Sequence, residues 1–348
     1  MSDPLEEQLA SSVLMVRPLN FHRNPLAAAS NAFMQVVNRS PDEEQALALQ
    51  EFHGLVDALE KASVDVIVVD DTPTPATPDS VFPNNWMSTH ADGTFVMYPM
   101  EVPNRRGERR QDIVDRLRSR GFEISQLIDL SAHEQSGQYL EGTGSLVLDR
   151  RHRIAYACRS ARTHDAVLDD FAGQLGYSVI AFTAVDNQGR AIYHTNVMMS
   201  IGEGFAVICL QSIRSDAERE AVVSSLRNTG HEIIDISQAQ LLAMAGNMLA
   251  LRSVSGERLL AMSSQARASL TDDQRRRLEA HANLVSAPII SIEDSAGGSV
   301  RCMLAEIHLP VKDAHNRQAH NAEEYDHVEC QRQDPDVPAG SFHGRLRD

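Results

Sequence analysis

Short apolar runs recur along the chain about every 50 to 60 residues, a spacing that belongs to repeated supersecondary units. Five stretches carry the pattern: "FPNNWMSTHADGTFVMYPM", "YLEGTGSLVLDRRHRIAYACRS", "YHTNVMMSIGEGFAVICLQS", "MAGNMLALRSVSGERLLAMSS" and "GGSVRCMLAEIHLP". Each opens on small or polar residues and passes into a strand-like run. In the first four a turn signal ("ADGT", "DRRH", "GEGF", "VSGE") leads to a second strand, so each predicts a hairpin. The fifth has no partner after it, and the amino-terminal "SSVLMVRP" is the strand that could pair with it.

Behind the hairpins lie stretches with apolar positions three and four apart, "RRGERRQDIVDRLRSRG", "RTHDAVLDDFAGQLG", "SDAEREAVVSSLRNTG" and "LTDDQRRRLEAHA". That period predicts helices, and three of the four stretches end in glycine. The β-branched runs "FEISQLIDL", "YSVIAFTA", "HEIIDIS" and "APIISIE" follow as predicted strands. The fold class is therefore α/β, a strand–strand–helix–strand unit repeated five times. Such units would pack side by side around an axis with the helices outside, and a site at the axis would receive one turn from each. Spacing alone also allows an α/β protein with unrelated hairpins.

The repeats occupy residues 1–310 as one domain. Residues 311–348 show no apolar period, are rich in polar residues and predict a disordered tail that includes Cys330. The proline-punctuated "DDTPTPATPDS", residues 70–80, predicts an exposed loop.

Composition narrows the possibilities. The 348 residues are 42% hydrophobic and 23% charged, enough to bury a sizeable core. A net charge of −16, with no basic block to offset it, excludes nucleic acid and anionic membrane as partners. The opening "MSDPLEEQLASSVLMVRPLN" is acidic where a secretion signal is basic, and the expected location is cytoplasmic. Four cysteines, none in a C-x-x-C pair, fit neither a disulfide framework nor a structural zinc site. H-E-x-x-H is absent, and "GTGSLV" lacks the third glycine of a dinucleotide fingerprint.

Three repeat turns hold residue types that perform acyl chemistry: Glu141 in "LEGTGS", His194 in "YHTNVMM" and Cys302 in "GGSVRCM". A thiolate nucleophile needs a base to carry protons, and the base needs an acceptor to orient it. Singly, each residue has a commoner structural reading: a buried cysteine, a hydrogen-bonded core histidine, a turn glutamate.

Together, in this order and spacing, the three motifs resemble the guanidine-modifying enzymes of the pentein fold, the amidinotransferase and arginine deiminase-like superfamily that includes dimethylarginine dimethylaminohydrolase. The likeness covers residues 13 to about 310 and implies a five-bladed α/β propeller of ββαβ units. It makes Cys302 the nucleophile, His194 the proton carrier and Glu141 the residue that holds the histidine. No cofactor or metal is implied. The glycines before Cys302 would let the backbone approach the substrate.

The sequence departs from the family at informative places. Deiminases grip the guanidinium with an aspartate in the first motif and another two residues after the histidine. Here those positions are Asn85 and Asn196. A neutral amide suits a neutral ureido group and cannot offset the desolvation of a guanidinium. The chain thus resembles the citrulline hydrolases, which share an opening like "MVRPLNFHRNP". Gly144 stands where the second motif has aspartate.

The implied reaction is attack of Cys302 on the ureido carbon of citrulline or a close analogue, a thiocarbamate intermediate, and hydrolysis to ornithine, ammonia and carbon dioxide. Arg162, in "RSARTH", is the candidate partner for the substrate carboxylate, and Trp86 could wall the pocket. Two alternatives stand. One is an arginine or succinylarginine dihydrolase or deiminase of the same fold. The other is a non-catalytic pentein binding module, like a ribosome anti-association factor, which would need no such trio.

Overall fold

The computed structural model describes residues 6–312. Their strands form five three-stranded sheets. The second, third and fourth sheets are β3 (Met87–Thr89), β4 (Thr94–Met97) and β5 (Gln126–Asp129); β6 (Leu146–Asp149), β7 (Ile154–Cys158) and β8 (Ser178–Phe182); and β9 (Met199–Gly202), β10 (Phe205–Ile208) and β11 (Glu232–Asp235). The fifth is β12 (Leu249–Arg252), β13 (Arg258–Ser263) and β14 (Asn283–Ala287). In each the first two strands form an antiparallel hairpin and the third returns parallel to the second.

The remaining sheet joins the two ends of the described chain. β1 (Ser12–Arg17) runs parallel to β2 (Asp65–Asp70) and antiparallel to β15 (Ala305–Ile307), with Ser12 opposite Ile307 and Leu14 opposite Ala305. This is the pairing expected of the fifth motif with the amino-terminal strand.

The middle strands read as continuous apolar runs because both their faces are buried. Val13 and Met15 of β1 enter the core shared with Leu259 and Ala261 of β13, whereas Leu14 and Val16 enter the core shared with Phe95 of β4. Val96 of β4 shares a core with Ala155 and Ala157 of β7, and Tyr156 of β7, Val207 of β10 and Leu260 of β13 share another. Each sheet therefore packs on the one before and the one after, and the fifth packs on the first.

Helices connect the second and third strands of every sheet. Pro41–Lys61 starts at a capping box in which Ser40 and Glu43 satisfy each other's backbone groups, and it buries Phe52, Leu55 and Leu59. Gln111–Ser119, Asp165–Leu175, Asp216–Asn228 and Asp272–Glu279 match the four predicted helices.

Three local expectations change. The run "APIISIE" is not the third strand of its sheet: that strand is Asn283–Ala287, and Ile290–Ala296 is a helix. Pro288 cannot continue the ladder, and the Glu51 carboxylate accepts from the backbone N–H groups of Ser291 and Ile292 at 2.9 and 3.0 Å. After Asp70 the 70–80 loop is exposed only over residues 73–76, because Thr77 and Ser80 donate to the buried Asp71 carboxylate. At the other end Lys312 N–H donates to Gly121 O at 2.9 Å, so ordered structure passes residue 310. The remainder of the expected tail lies outside the described residues. Among those described, no helix is long and apolar enough to cross a membrane.

Candidate active site

One tight turn from each repeat ends where a sheet's first strand begins: Pro83–Asn85, Gly142–Ser145, Thr195–Met198, the turn through Asn247, and Val300–Met303. The first strands converge, so these turns meet and bring together residues more than two hundred positions apart in sequence.

Cys302 lies in the fifth turn, 2% exposed. Its Sγ receives N–H groups from two side-chain amides, Asn196 Nδ2 at 3.3 Å and Asn247 Nδ2 at 3.2 Å. Asn196 Oδ1 is buried without a hydrogen-bond partner. An unpartnered buried acceptor costs stability unless something fills it, so it marks a place for a donor.

His194 Nε2 lies 2.8 Å from Glu141 Oε2. Glu141 is fully buried, and burial alone would raise its pKa. Arg162, whose Nη1 is 3.2 Å away, together with His194 and the more distant Arg105, overcomes that cost and holds the carboxyl well below the usual carboxylate range. Burial pushes His194 down to about 4 against the pull of Glu141. At neutral pH the pair is thus a carboxylate and a neutral imidazole, with Nε2 protonated toward Glu141 and Nδ1 free to accept.

Gly144 explains its departure from the motif. A Cβ there would lie 2.7 Å from both His194 Nδ1 and Asn85 Nδ2, so no aspartate fits. Asn85 takes up the space. Its Oδ1 accepts from Arg105 Nη1 at 2.9 Å, which fixes the amide with one N–H toward Asn84 Oδ1 and the other free.

Arg162 lines the same cavity, with hydrogen bonds committed to Glu141, to Ser30 Oγ at 2.8 Å and to Ala27 O at 3.2 Å, over the Tyr193 ring. In this arrangement the guanidinium balances Glu141, and its hydrogen bonds are spent on protein groups. Trp86 is core, packed near Phe95, and does not line the cavity.

The cavity is bounded by Asp79, Asn85, Arg105, His194 and Cys302, and is roofed by Ala27 and Asn31 from the segment after β1. Its volume is about 10 Å³, room for about one water. The cavity as it stands holds nothing larger. The roof is tied down through Asn31 Nδ2 to Ala296 O at 3.0 Å, and Gly297 makes room for it, since a Cβ there would meet Asn31 and Met34 N at 2.8 Å. The glycine before Cys302 thus serves the roof.

Asn247 and Arg105 were not singled out from the sequence. Asn247 is at the repeat-equivalent place in "MAGNML", a signal that was available. Arg105 lies in a short 3-10 helix, Pro103–Glu108, between β4 and the helix that follows. Among the described residues no group of three or more His, Cys, Asp or Glu could hold a metal ion.

The comparisons agree with this architecture. No curated protein matches the chain in sequence. In three dimensions it is similar to the N-terminal domain of ArgZ, a cyanobacterial arginine dihydrolase solved with its product, at TM-score 0.65 and 18% identity over 86% of this chain and 99% of that one. Unliganded AgrE gives TM-score 0.66 at 18% identity, over 87% of this chain and 40% of AgrE. The chain thus spans about two fifths of whole AgrE, and it covers 41% of the whole ArgZ chain. A dimethylarginine dimethylaminohydrolase in covalent adduct with S-methyl-L-thiocitrulline gives TM-score 0.57 at 14% identity, covering 86% of this chain and all of that one. Residues 17–309 match the family model of the eukaryotic N,N-dimethylarginine dimethylhydrolases. The chain belongs to that family, and with it to the pentein guanidine-modifying superfamily.

Proposed function

We propose that the protein is a cysteine-dependent hydrolase that cleaves the ureido group of citrulline or a close analogue to ornithine, ammonia and carbon dioxide. The observation that carries the reading is the pair of neutral amides around the thiol. Asn196 presents an unpartnered carbonyl oxygen, suited to a substrate N–H, and Asn85 is held by Arg105 with a free N–H, suited to a substrate carbonyl. A ureido group offers both complements. A guanidinium has no acceptor for Asn85.

The sheet circuit is the five-bladed propeller of the superfamily, with the site at its axis. Cys302 Sγ attacks the ureido carbon, and the pair of electrons displaced onto oxygen is stabilised by the Asn85 N–H. His194 Nδ1, which takes the Cys302 thiol proton as sulfur attacks, passes that proton to the departing amine as the oxygen's electron pair re-forms the carbonyl and the C–N bond breaks, leaving a thiocarbamate on sulfur. It then takes a proton from water, whose oxygen adds to the same carbon. The C–S bond breaks, returning its electrons to sulfur, and the carbamate product falls to the second amine and carbon dioxide.

A second reading, arginine dihydrolysis, has its own support in Asp79. This carboxylate is 3% exposed, lines the cavity and lies 3.7 Å from Arg105 Nε, within reach of a cationic substrate. Incubation with citrulline and with arginine separately, counting ammonia per ornithine, tests the choice. Citrulline turnover with one ammonia per ornithine is expected. Arginine turnover releasing two ammonias per ornithine, with citrulline inert, would overturn the ureido assignment.

A further inference from the structure

Asn247 is fully buried, and each polar atom of its side chain has a fixed assignment. Nδ2 donates to the Asn196 carbonyl at 3.0 Å and to Cys302 Sγ at 3.2 Å. Oδ1 accepts from the Arg301 backbone N–H at 2.9 Å. A flipped amide would set Oδ1 against the Asn196 carbonyl and Nδ2 against the Arg301 N–H, so two backbone groups lock the orientation. One N–H is thereby aimed at sulfur. The turn that carries Asn247 is pressed against the third repeat: a Cβ on Gly246 would lie 2.4 Å from Val197 O. The donor is thus placed by backbone from three repeats and not by a mobile side chain.

Among the described residues, the hydrogen bonds to Cys302 Sγ come from two amides and none from a cation. His194 is held by Glu141. Within hydrogen-bond reach the thiolate thus meets N–H dipoles, while the Arg301 guanidinium acts on it only through space.

The geometry points to Asn247 as a catalytic residue of the thiol chemistry: with Asn196 it forms a two-amide cradle that holds the Cys302 thiolate before attack and receives it again when the thiocarbamate departs. This rests on the hydrolase reading above. As the thiol passes its proton to His194 Nδ1, negative charge collects on sulfur and both N–H bonds strengthen. When sulfur bonds to the substrate carbon, the charge moves to the substrate oxygen and the cradle slackens. When the C–S bond breaks, the electron pair returns to sulfur and the cradle tightens again. Because Asn247 acts at both ends, its loss slows the formation and the breakdown of the intermediate.

The test uses a readout independent of substrate identity. The full chain and its Asn247→Ser and Asn247→Asp variants are alkylated with iodoacetamide across a pH series, and Cys302 labelling is followed by peptide mass. At pH 7 the variants are expected to label about tenfold or more slowly, the loss set by one charge-assisted hydrogen bond. Above about pH 10, past the ordinary thiol range, the rates of parent and variants are expected to converge. Equal rates at pH 7 would overturn the proposal. So would a defect of the same size at every pH, which would show that Asn247 only shapes the turn. If the aspartate variant does not fold, the serine variant decides alone. A parent that hydrolyses neither citrulline nor arginine, yet loses alkylation rate at pH 7 on the serine change, would sink the substrate assignment and leave the cradle standing.

Discussion

Glu141 Oε2 and His194 Nε2 lie 2.8 Å apart, and the ring's other nitrogen is the one that faces Gly144 and Asn85. The glutamate therefore decides both the tautomer of the histidine and which nitrogen can exchange protons with a substrate. Because burial pushes His194 down to about 4, the imidazole is neutral through the physiological range.

The acid limb of kcat/KM, which reports the free enzyme, should consequently lie near pH 4 rather than near 6.5. Stability follows the same sign. The unfolded histidine binds its proton near 6.5 and the folded one only near 4, so His194 makes the protein lose stability as pH falls through that window. A kcat/KM profile that bends near 6.5 would show that the ring is not held neutral.

Gly144→Ala should lower kcat by about a hundredfold or more while leaving the unfolding midpoint close to the parent's. The added Cβ can be accommodated only by moving His194 or Asn85, and a displacement of about 1 Å in a catalytic group costs that much. Steady-state kinetics with a denaturation curve on the same sample checks it. Parent-like kcat would mean the histidine does not work from this position.

Arg162→Met tests what the guanidinium does. If it balances Glu141, the variant loses about 3 kcal/mol of stability, the scale of breaking a buried ion pair, and kcat falls with it. If it grips the substrate carboxylate instead, KM rises while kcat and the urea midpoint hold. The structure favours the first outcome.

Exchanging Asn85 and Asn196 for aspartate together should weaken citrulline turnover and improve arginine binding. At 85 the substitution removes the free N–H and sets a carboxylate beside Arg105, so part of its charge is taken up inside the protein. The asparagine at 196 also supplies an N–H to sulfur, so aspartate there opposes the thiolate. The citrulline-to-arginine ratio of kcat/KM is the measurement, and a ratio that stays put would refute the role of the amides.

The other described cysteines should be silent. Cys158 is fully buried and its thiol is pushed up to about 12 by burial, and burial raises Cys209 as well. Cys158→Ala and Cys209→Ala should retain parent-like kcat, whereas Cys302→Ala should abolish turnover with the fold intact. Loss of activity in either of the first two would break the assignment of the nucleophile.

Much of this was legible in the sequence because repetition shows itself as spacing. The hairpins, four helices and the trio of Glu141, His194 and Cys302 all lie at repeat-equivalent places, and one turn per repeat does reach the site. What spacing cannot show is which polar group meets which. Asn247 also lies in a turn just ahead of a sheet's first strand, but only the fold brings its amide to sulfur. Arg105, Ala27 and Asn31 come from connections that the repeat does not govern. "APIISIE" misled because its β-branched content favours a strand, while Pro288 and the Glu51 carboxylate favour a helix start.

The pairing of β15 with β1 has a consequence for when the protein can act. β15, which follows the turn that carries Cys302, is held by residues near the opposite end of the chain, with Ser12 opposite Ile307, whereas Glu141 and His194 belong to interior repeats. Contacts of such long sequence separation form late and are exposed to early loss when an edge opens. A molecule nicked or frayed at either end would keep a preformed base with its carboxylate and lose its sulfur. On the hydrolase reading, turnover would then report whether the first and last strands are joined, and a half-made or half-unravelled chain would be an inert one.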